Sequence, residues 1–130
     1  MIKTITYILK TIALVAIVFS CTNTAETTQE SEKAELTILQ EEIEQLIATE
    51  ICNENANCDF IAFGSKPCGG PWSYLVYSTS INIDLLKEKV DTYNKNETAY
   101  NIKWSIVSDC MASVPPTSVQ CINGECIAIY

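Results

Sequence analysis

Seven of the 130 residues are cysteines, and six of them, Cys52, Cys58, Cys68, Cys110, Cys121 and Cys126, fall past the chain's first third. An even set of thiols in an exported domain most simply oxidises to three disulfides, each contributing about 2 to 5 kcal/mol. Metal binding would ask for a two-residue interval of the zinc-knuckle kind, and Cys121 and Cys126 have four residues between them. A redox dithiol would favour the same short interval at a helix start, whereas Cys68 sits among Pro67, Gly69, Gly70 and Pro71. The chain holds no histidine, so the usual general base for a serine or cysteine nucleophile and the commonest metal ligand are both missing. These observations point to structural crosslinks, with no catalytic residue, no metal and no cofactor expected.

The other distinctive stretch runs through Lys66, Pro67, Cys68, Gly69, Gly70, Pro71 and Trp72. Its prolines and glycines forbid continued ladder pairing, so it is a loop between strands. Prolines stiffen it, Cys68 could pin it to the body, and Lys66 stands out as a single base in a largely acidic protein. Preorganisation lowers the ordering cost of binding, so the loop is a candidate recognition element of the kind a protease inhibitor presents. Turn chemistry alone also accounts for each of its residues. Asp84, Glu88 and Asp91 share a helix but are interleaved with Lys87, Lys89 and Lys95, which suits a solvated face rather than a cation site. Trp72, Tyr74, Tyr77, Tyr93, Tyr100 and Trp104 could stack on a ligand, although core packing explains most of them.

Several elements must hold these residues in place. Leu36, Leu39, Ile43, Leu46 and Ile47 recur at helical spacing opposite Glu35, Glu41, Glu42 and Glu44, predicting a helix from Ser31 to about Ile51 with Asn53 and Asn55 as stops. Asp59–Phe63 and Trp72–Ser78 read as strands flanking the loop. Ser80 or Asn82 can cap a second helix, on which Ile83, Leu86, Val90 and Tyr93 share a face. Tyr100, Ile102, Trp104 and Ile106 alternate with polar residues, predicting a half-buried strand. Asn123 and Gly124 between apolar runs specify a two-residue hairpin, because both central positions need positive φ. That hairpin sets Cys121 opposite Cys126 at a non-hydrogen-bonded pair, where Cα atoms approach to about 4.5 to 5.5 Å. A local Cys121–Cys126 bridge is therefore expected, with Cys52–Cys58 and, by remainder, Cys68–Cys110. Two cysteines on one hairpin face could equally reach separate partners such as Cys110 or Cys68.

The N-terminal end reads as an address. Lys3 and Lys10 precede an unbroken apolar run from Ile12 to Phe19, and small Ser20 stands before Cys21. The order Val18, Phe19, Ser20, Cys21 resembles a bacterial lipobox, which implies cleavage after residue 20 and lipid on Cys21. The apolar run is shorter than the roughly 20 residues of a membrane span. Residues 21–32, polar throughout, are expected to form a tether after the lipidated cysteine, and residues 33–130 a single domain. Beyond residue 20 the chain carries sixteen acidic side chains against six lysines, a net charge of −10, and no arginine, which argues against nucleic acid.

The run from Lys66 to Ser78, with Ser108-Asp109-Cys110, Pro115-Pro116 and Cys121-Ile122-Asn123-Gly124-Glu125-Cys126 downstream, resembles small cysteine-containing bacterial envelope proteins of uncharacterised function. The resemblance implies an exported, disulfide-bonded domain and carries no activity. The sequence thus predicts an α+β fold: a short antiparallel sheet with a C-terminal hairpin, packed on two amphipathic helices and stapled by disulfides. The leading expectation is a non-enzymatic envelope lipoprotein, held on the membrane by its lipid, that binds another protein or supports a surface assembly. Inhibition of a protease through Lys66–Pro71 is the second reading, and a small enzyme with an unrecognised site the third.

Overall fold

Thr28 starts the ordered fold: its Oγ1 accepts a hydrogen bond from the Ser31 N–H at 3.2 Å and caps helix α1, Gln29–Ile47. The structure, a computed structural model, describes residues 27–53 and 57–130. The signal segment, Cys21, tether residues 22–26 and Asn55 lie outside the described residues. Gln29 and Glu30, expected in the tether, instead join Ser31 and Glu32 in the first turn of α1, two residues ahead of the expected start. Two contacts explain this: Glu32 accepts from the Trp104 Nε1–H at 2.7 Å and pairs with Lys103, so the polar start is tied to the body. The helix ends at Ile47, short of Ile51, because the Thr49 hydroxyl donates to the Leu46 carbonyl at 2.7 Å and closes the last turn.

Strands β1, Cys58–Phe63, and β2, Ser73–Ser78, pair antiparallel from Cys58↔Ser78 to Phe63↔Ser73. Helix α2, Ile83–Lys103, begins at Asn82, whose Oδ1 accepts from the Leu85 N–H at 3.1 Å. It runs ten residues past Tyr93, so the strand expected over Tyr100–Ile106 is absent. The apparent alternation breaks on burial: Tyr100 is 9% exposed and Ile102 76%, whereas a half-buried strand would put both on one face. Tyr100 and Trp104 share a face at the helical spacing of four, and the Trp104 N–H closes the end onto the Tyr100 carbonyl at 3.0 Å.

Strands β3, Ser118–Ile122, and β4, Glu125–Ile129, form the hairpin on Asn123 and Gly124, at φ +54° and +85°. The described residues therefore form two helices and two separate two-stranded antiparallel sheets. Leu36 and Ile43 of α1 meet Leu86, Val90 and Tyr93 of α2 in one core with Phe63 and Tyr77 of the β1–β2 sheet. Ile43 and Leu86 are fully buried, each burial stabilising by about 1.5 to 3 kcal/mol.

Three disulfides join the described residues, and two of them differ from the expected pairs. Cys52 bonds Cys121 and Cys58 bonds Cys126, with Cα separations of 5.8 and 5.6 Å, in place of Cys52–Cys58 and Cys121–Cys126. Cys121 and Cys126 do sit opposite each other on β3 and β4, so their side chains leave the hairpin on one face. That face meets Cys52 and Cys58, and the Cys52 N–H donates to the Gly124 carbonyl of the turn at 3.2 Å. Cys126 thus crosses to Cys58 at the start of β1 and Cys121 to Cys52 ahead of that strand, rather than the two bonding each other. The third bond, Cys68–Cys110, is the pair expected by remainder.

Candidate functional site

The loop between β1 and β2 is docked onto α2 by three helix side chains. Asn94 Oδ1 accepts from the Gly64 N–H at 2.7 Å, Glu97 Oε2 accepts from the Ser65 N–H at 2.6 Å, and Asn101 Nδ2 donates to the Ser65 carbonyl at 2.7 Å. The Ser65 hydroxyl also donates to the Asn94 carbonyl at 2.9 Å. Val90, Asn94, Glu97 and Asn101 follow one another by steps of four, three and four, so the apolar stripe of α2 turns polar where it meets the loop. Gly64 makes the close approach possible: at φ +80° a Cβ there would fall 2.6 Å from Trp72 Cδ1.

Past Ser65 the loop closes on itself. The Gly69 N–H donates to the Lys66 carbonyl at 2.9 Å and the Lys66 N–H to the Gly70 carbonyl at 2.8 Å. Lys66, expected to stand out as a projecting base, is folded inward with its side chain only 8% exposed. Its ammonium lies 5.0 Å from the Trp72 ring centroid and 3.5 Å from Asp109, and donates to the Met111 carbonyl. Pro67, Cys68, Gly69 and Gly70 are what the loop exposes.

A second segment, residues 105–117, lies beside this loop. Cys110 joins it to Cys68, and the Ser113 hydroxyl donates to the Trp72 carbonyl at 2.7 Å. Val107, Met111 and Val114 on this segment are 88%, 68% and 67% exposed. These are three of the large apolar side chains that the described residues leave exposed to solvent, and all three lie on the segment that Cys110 ties to the loop. The sequence reading named the loop residues but not Asn94, Glu97, Asn101, Val107, Met111 or Val114. Polar residues continuing a buried helical stripe were the available signal for the first three.

Beside the loop opens a cleft of about 380 Å³, bounded by Leu36, Phe63, Trp72, Tyr93, Glu97 and Tyr100. Burial holds the Glu97 carboxyl above its usual range, against the opposing effects of the Ser65 N–H, the Lys33 charge and hydrogen bonds from Trp72 and Tyr93. Burial likewise pushes the Tyr93 phenol up to about 12, with the Glu97 charge adding to it. A carboxyl with this proton affinity is suited to acid–base work, yet its partners are the protein's own loop and rings, so its role here is to anchor. The aromatic set divides: Tyr77, Tyr93 and Tyr100 are in the core, while Trp72 stays 40% exposed under Lys66. A wider groove of about 520 Å³ runs between the helices past Leu36, Leu39 and Tyr100.

The sulfurs of Cys52, Cys58 and Cys126 lie within 4.8 Å of one another. This is the donor cluster that could take a soft metal ion, but each sulfur is held in an S–S bond and offers no thiolate while oxidised. No helix among the described residues is long and apolar enough to cross a membrane. Compared with protein-family models, curated proteins and solved structures, the chain shows no match to any.

Proposed function

We propose that this protein is a lipid-anchored envelope module without catalytic activity that binds another protein through the paired loops 64–72 and 105–117. The observation that carries the reading is the Cys68–Cys110 bond, which fixes two exposed loops as one surface bearing Val107, Met111 and Val114. Preorganisation of this kind lowers the entropy lost on association, and apolar anchors supply the contact energy. Export is supported by the three disulfides and by the signal-like run before Cys21.

Two experiments test it. A photo-crosslinking amino acid at Val114, in intact cells, is expected to give a discrete adduct that vanishes with Val107→Asp, while the same probe at Glu88 on the outer face of α2 gives none. Equal adducts from both positions would refute the surface. Separately, Cys21→Ser is expected to leave an unprocessed precursor, and a variant of mature size would refute the anchor.

Protease inhibition remains a second reading, favoured by the rigid exposed turn Pro67–Gly70. Because Lys66 is folded inward, recognition would fall on the backbone of that turn. Unchanged activity of envelope and extracellular serine proteases on addition of the protein would remove it.

A further inference from the structure

The three disulfides are not equally guarded. Cys52 is 2% exposed, and Cys58 and Cys126 are half-buried, so each of those bonds has at least one shielded sulfur-bearing residue. Cys68 and Cys110 are both exposed. Cys110 is also held at φ +56°, a left-handed conformation that costs free energy in any residue with a Cβ. Its two sequence neighbours, Asp109 and Met111, are gripped by the Lys66 ammonium, which brings a positive charge to that end of the bond. At the other end, the Ser108 hydroxyl lies 3.5 Å from Cys68 Sγ.

We propose that Cys68–Cys110 is a thiol–disulfide exchange site that takes the thiolate of a dithiol, either a small reagent or a cysteine pair on another protein. The incoming thiolate attacks Cys110 Sγ. A new S–S bond to Cys110 forms as the Cys68–Cys110 bond breaks, and the bonding pair leaves on Cys68 Sγ, where Ser108 can donate to it and water supplies the proton. The second thiol of the dithiol, deprotonated, then attacks the dithiol's own sulfur in the mixed disulfide and expels Cys110 as thiolate, which takes up a proton from water. Two electrons and two protons have then been gained by the protein, and the dithiol leaves as a disulfide. Exposure and backbone strain both raise the reduction potential of a disulfide, so this bond opens before the other two.

Its opening acts on one loop more than the other. Gly64 and Ser65 stay held by Asn94, Glu97 and Asn101, so residues 64–66 keep their place. Residues 107–115 are tied to the rest by Lys66, which reaches Asp109 and the Met111 carbonyl, and by the Ser113 hydroxyl, which donates to the Pro71 and Trp72 carbonyls. The surface carrying Val107, Met111 and Val114 is thereby loosened, and this regulatory consequence rests on the binding reading above. The exchange chemistry does not.

The test is a redox titration of the full chain in detergent, equilibrated over a series of reduced-to-oxidised dithiothreitol ratios, alkylated, and mapped peptide by peptide so that Cys21 is scored separately. Cys68 and Cys110 are expected to reach half-labelling at a ratio at least about tenfold below that of the other four cysteines. Simultaneous labelling of all six, or prior labelling of Cys52 and Cys121, would overturn the proposal. Limited proteolysis of the partly reduced protein with thermolysin supplies a second readout: cleavage within 106–115 is expected to become faster while 64–66 stays uncut, and an unchanged cleavage pattern would refute the loosening. Because neither measurement involves a partner, each stands apart from the crosslinking result.

Discussion

Glu97 and Ser65 are joined across 32 residues of sequence by a single hydrogen bond, the Ser65 N–H donating to Glu97 Oε2 at 2.6 Å. It is the middle rung of the three that dock the β1–β2 loop on α2, and the one rung whose acceptor titrates. The whole placement of the loop depends on this stripe of the helix, which is why α2 continues past Tyr93 through Asn94, Glu97 and Asn101 instead of giving way to a strand.

Stability is expected to fall as pH rises through the range above 4.5, because burial makes the folded Glu97 carboxyl hold its proton more tightly than the unfolded one. The contribution is fully present below the unfolded value and lost above the folded one. Glu97→Gln keeps an acceptor for Ser65 and should flatten this part of the profile, whereas Glu97→Ala leaves that donor unpaired and should cost about 1 to 3 kcal/mol. Denaturant unfolding between pH 4 and 8 for the three proteins measures both; an unaltered profile in the glutamine variant would contradict the assignment.

Alkaline titration gives an independent reading of the same corner. With its phenol near 12, Tyr93 favours the neutral form in the fold, so stability is lost as pH rises from the ordinary 10 toward that value. Absorbance at about 295 nm should show a phenol ionising near that value, and Tyr93→Phe should remove that step.

Gly64 and Gly69 both have positive φ, yet they should respond differently to alanine. At Gly69 nothing lies within 4 Å of the added Cβ, and the cost is the left-handed strain alone, about 1 to 2 kcal/mol. At Gly64 the Cβ meets Trp72 Cδ1 at 2.6 Å, so the indole must shift and disturb Lys66 above it. Gly64→Ala is expected to cost roughly 2 to 4 kcal/mol by chemical denaturation. Equal effects at the two sites would show that the packing under Trp72 is loose.

Disulfide mapping discriminates the bonds directly. Digestion without reduction should release peptides linking Cys52 to Cys121 and Cys58 to Cys126, and none linking Cys121 to Cys126. Replacing Cys52 and Cys121 together by alanine should lower stability by about 2 to 4 kcal/mol, because with Cys58–Cys126 intact the bond closes only the short loop from 52 to 58 and back from 126 to 121. A loss near 1 kcal/mol would point to a denatured state already compact in this region.

Local signals carried part of this structure. Asn123-Gly124 specified its hairpin because only a few residue types accept two successive positive φ values, and Asn82 marked its helix start by supplying a side-chain acceptor. The hairpin even set Cys121 against Cys126 correctly. What it could not reveal was that Cys52 and Cys58 lay against that face, since they reach it only through tertiary packing. Lys66 was misjudged for the same reason: its type signals exposure, but a ring and a carbonyl far along the chain enclose it. The end of α2 was obscured because Tyr100 and Trp104 fit both periods and Ile102 completes an alternation between them, and burial of Tyr100 without Ile102 decides for the helix only once the fold is known.

The bonds from Cys52 to Cys121 and from Cys58 to Cys126 also fix how the molecule would carry a load. Tension applied between the N-terminal end and Tyr130 would run along α1, cross at Cys52 to Cys121 and leave through the hairpin. The chain between those two cysteines, including loops 64–72 and 105–117 and α2, would hang outside the covalent force path. A pull on the two ends would thus load α1 and the hairpin while leaving those loops unstretched.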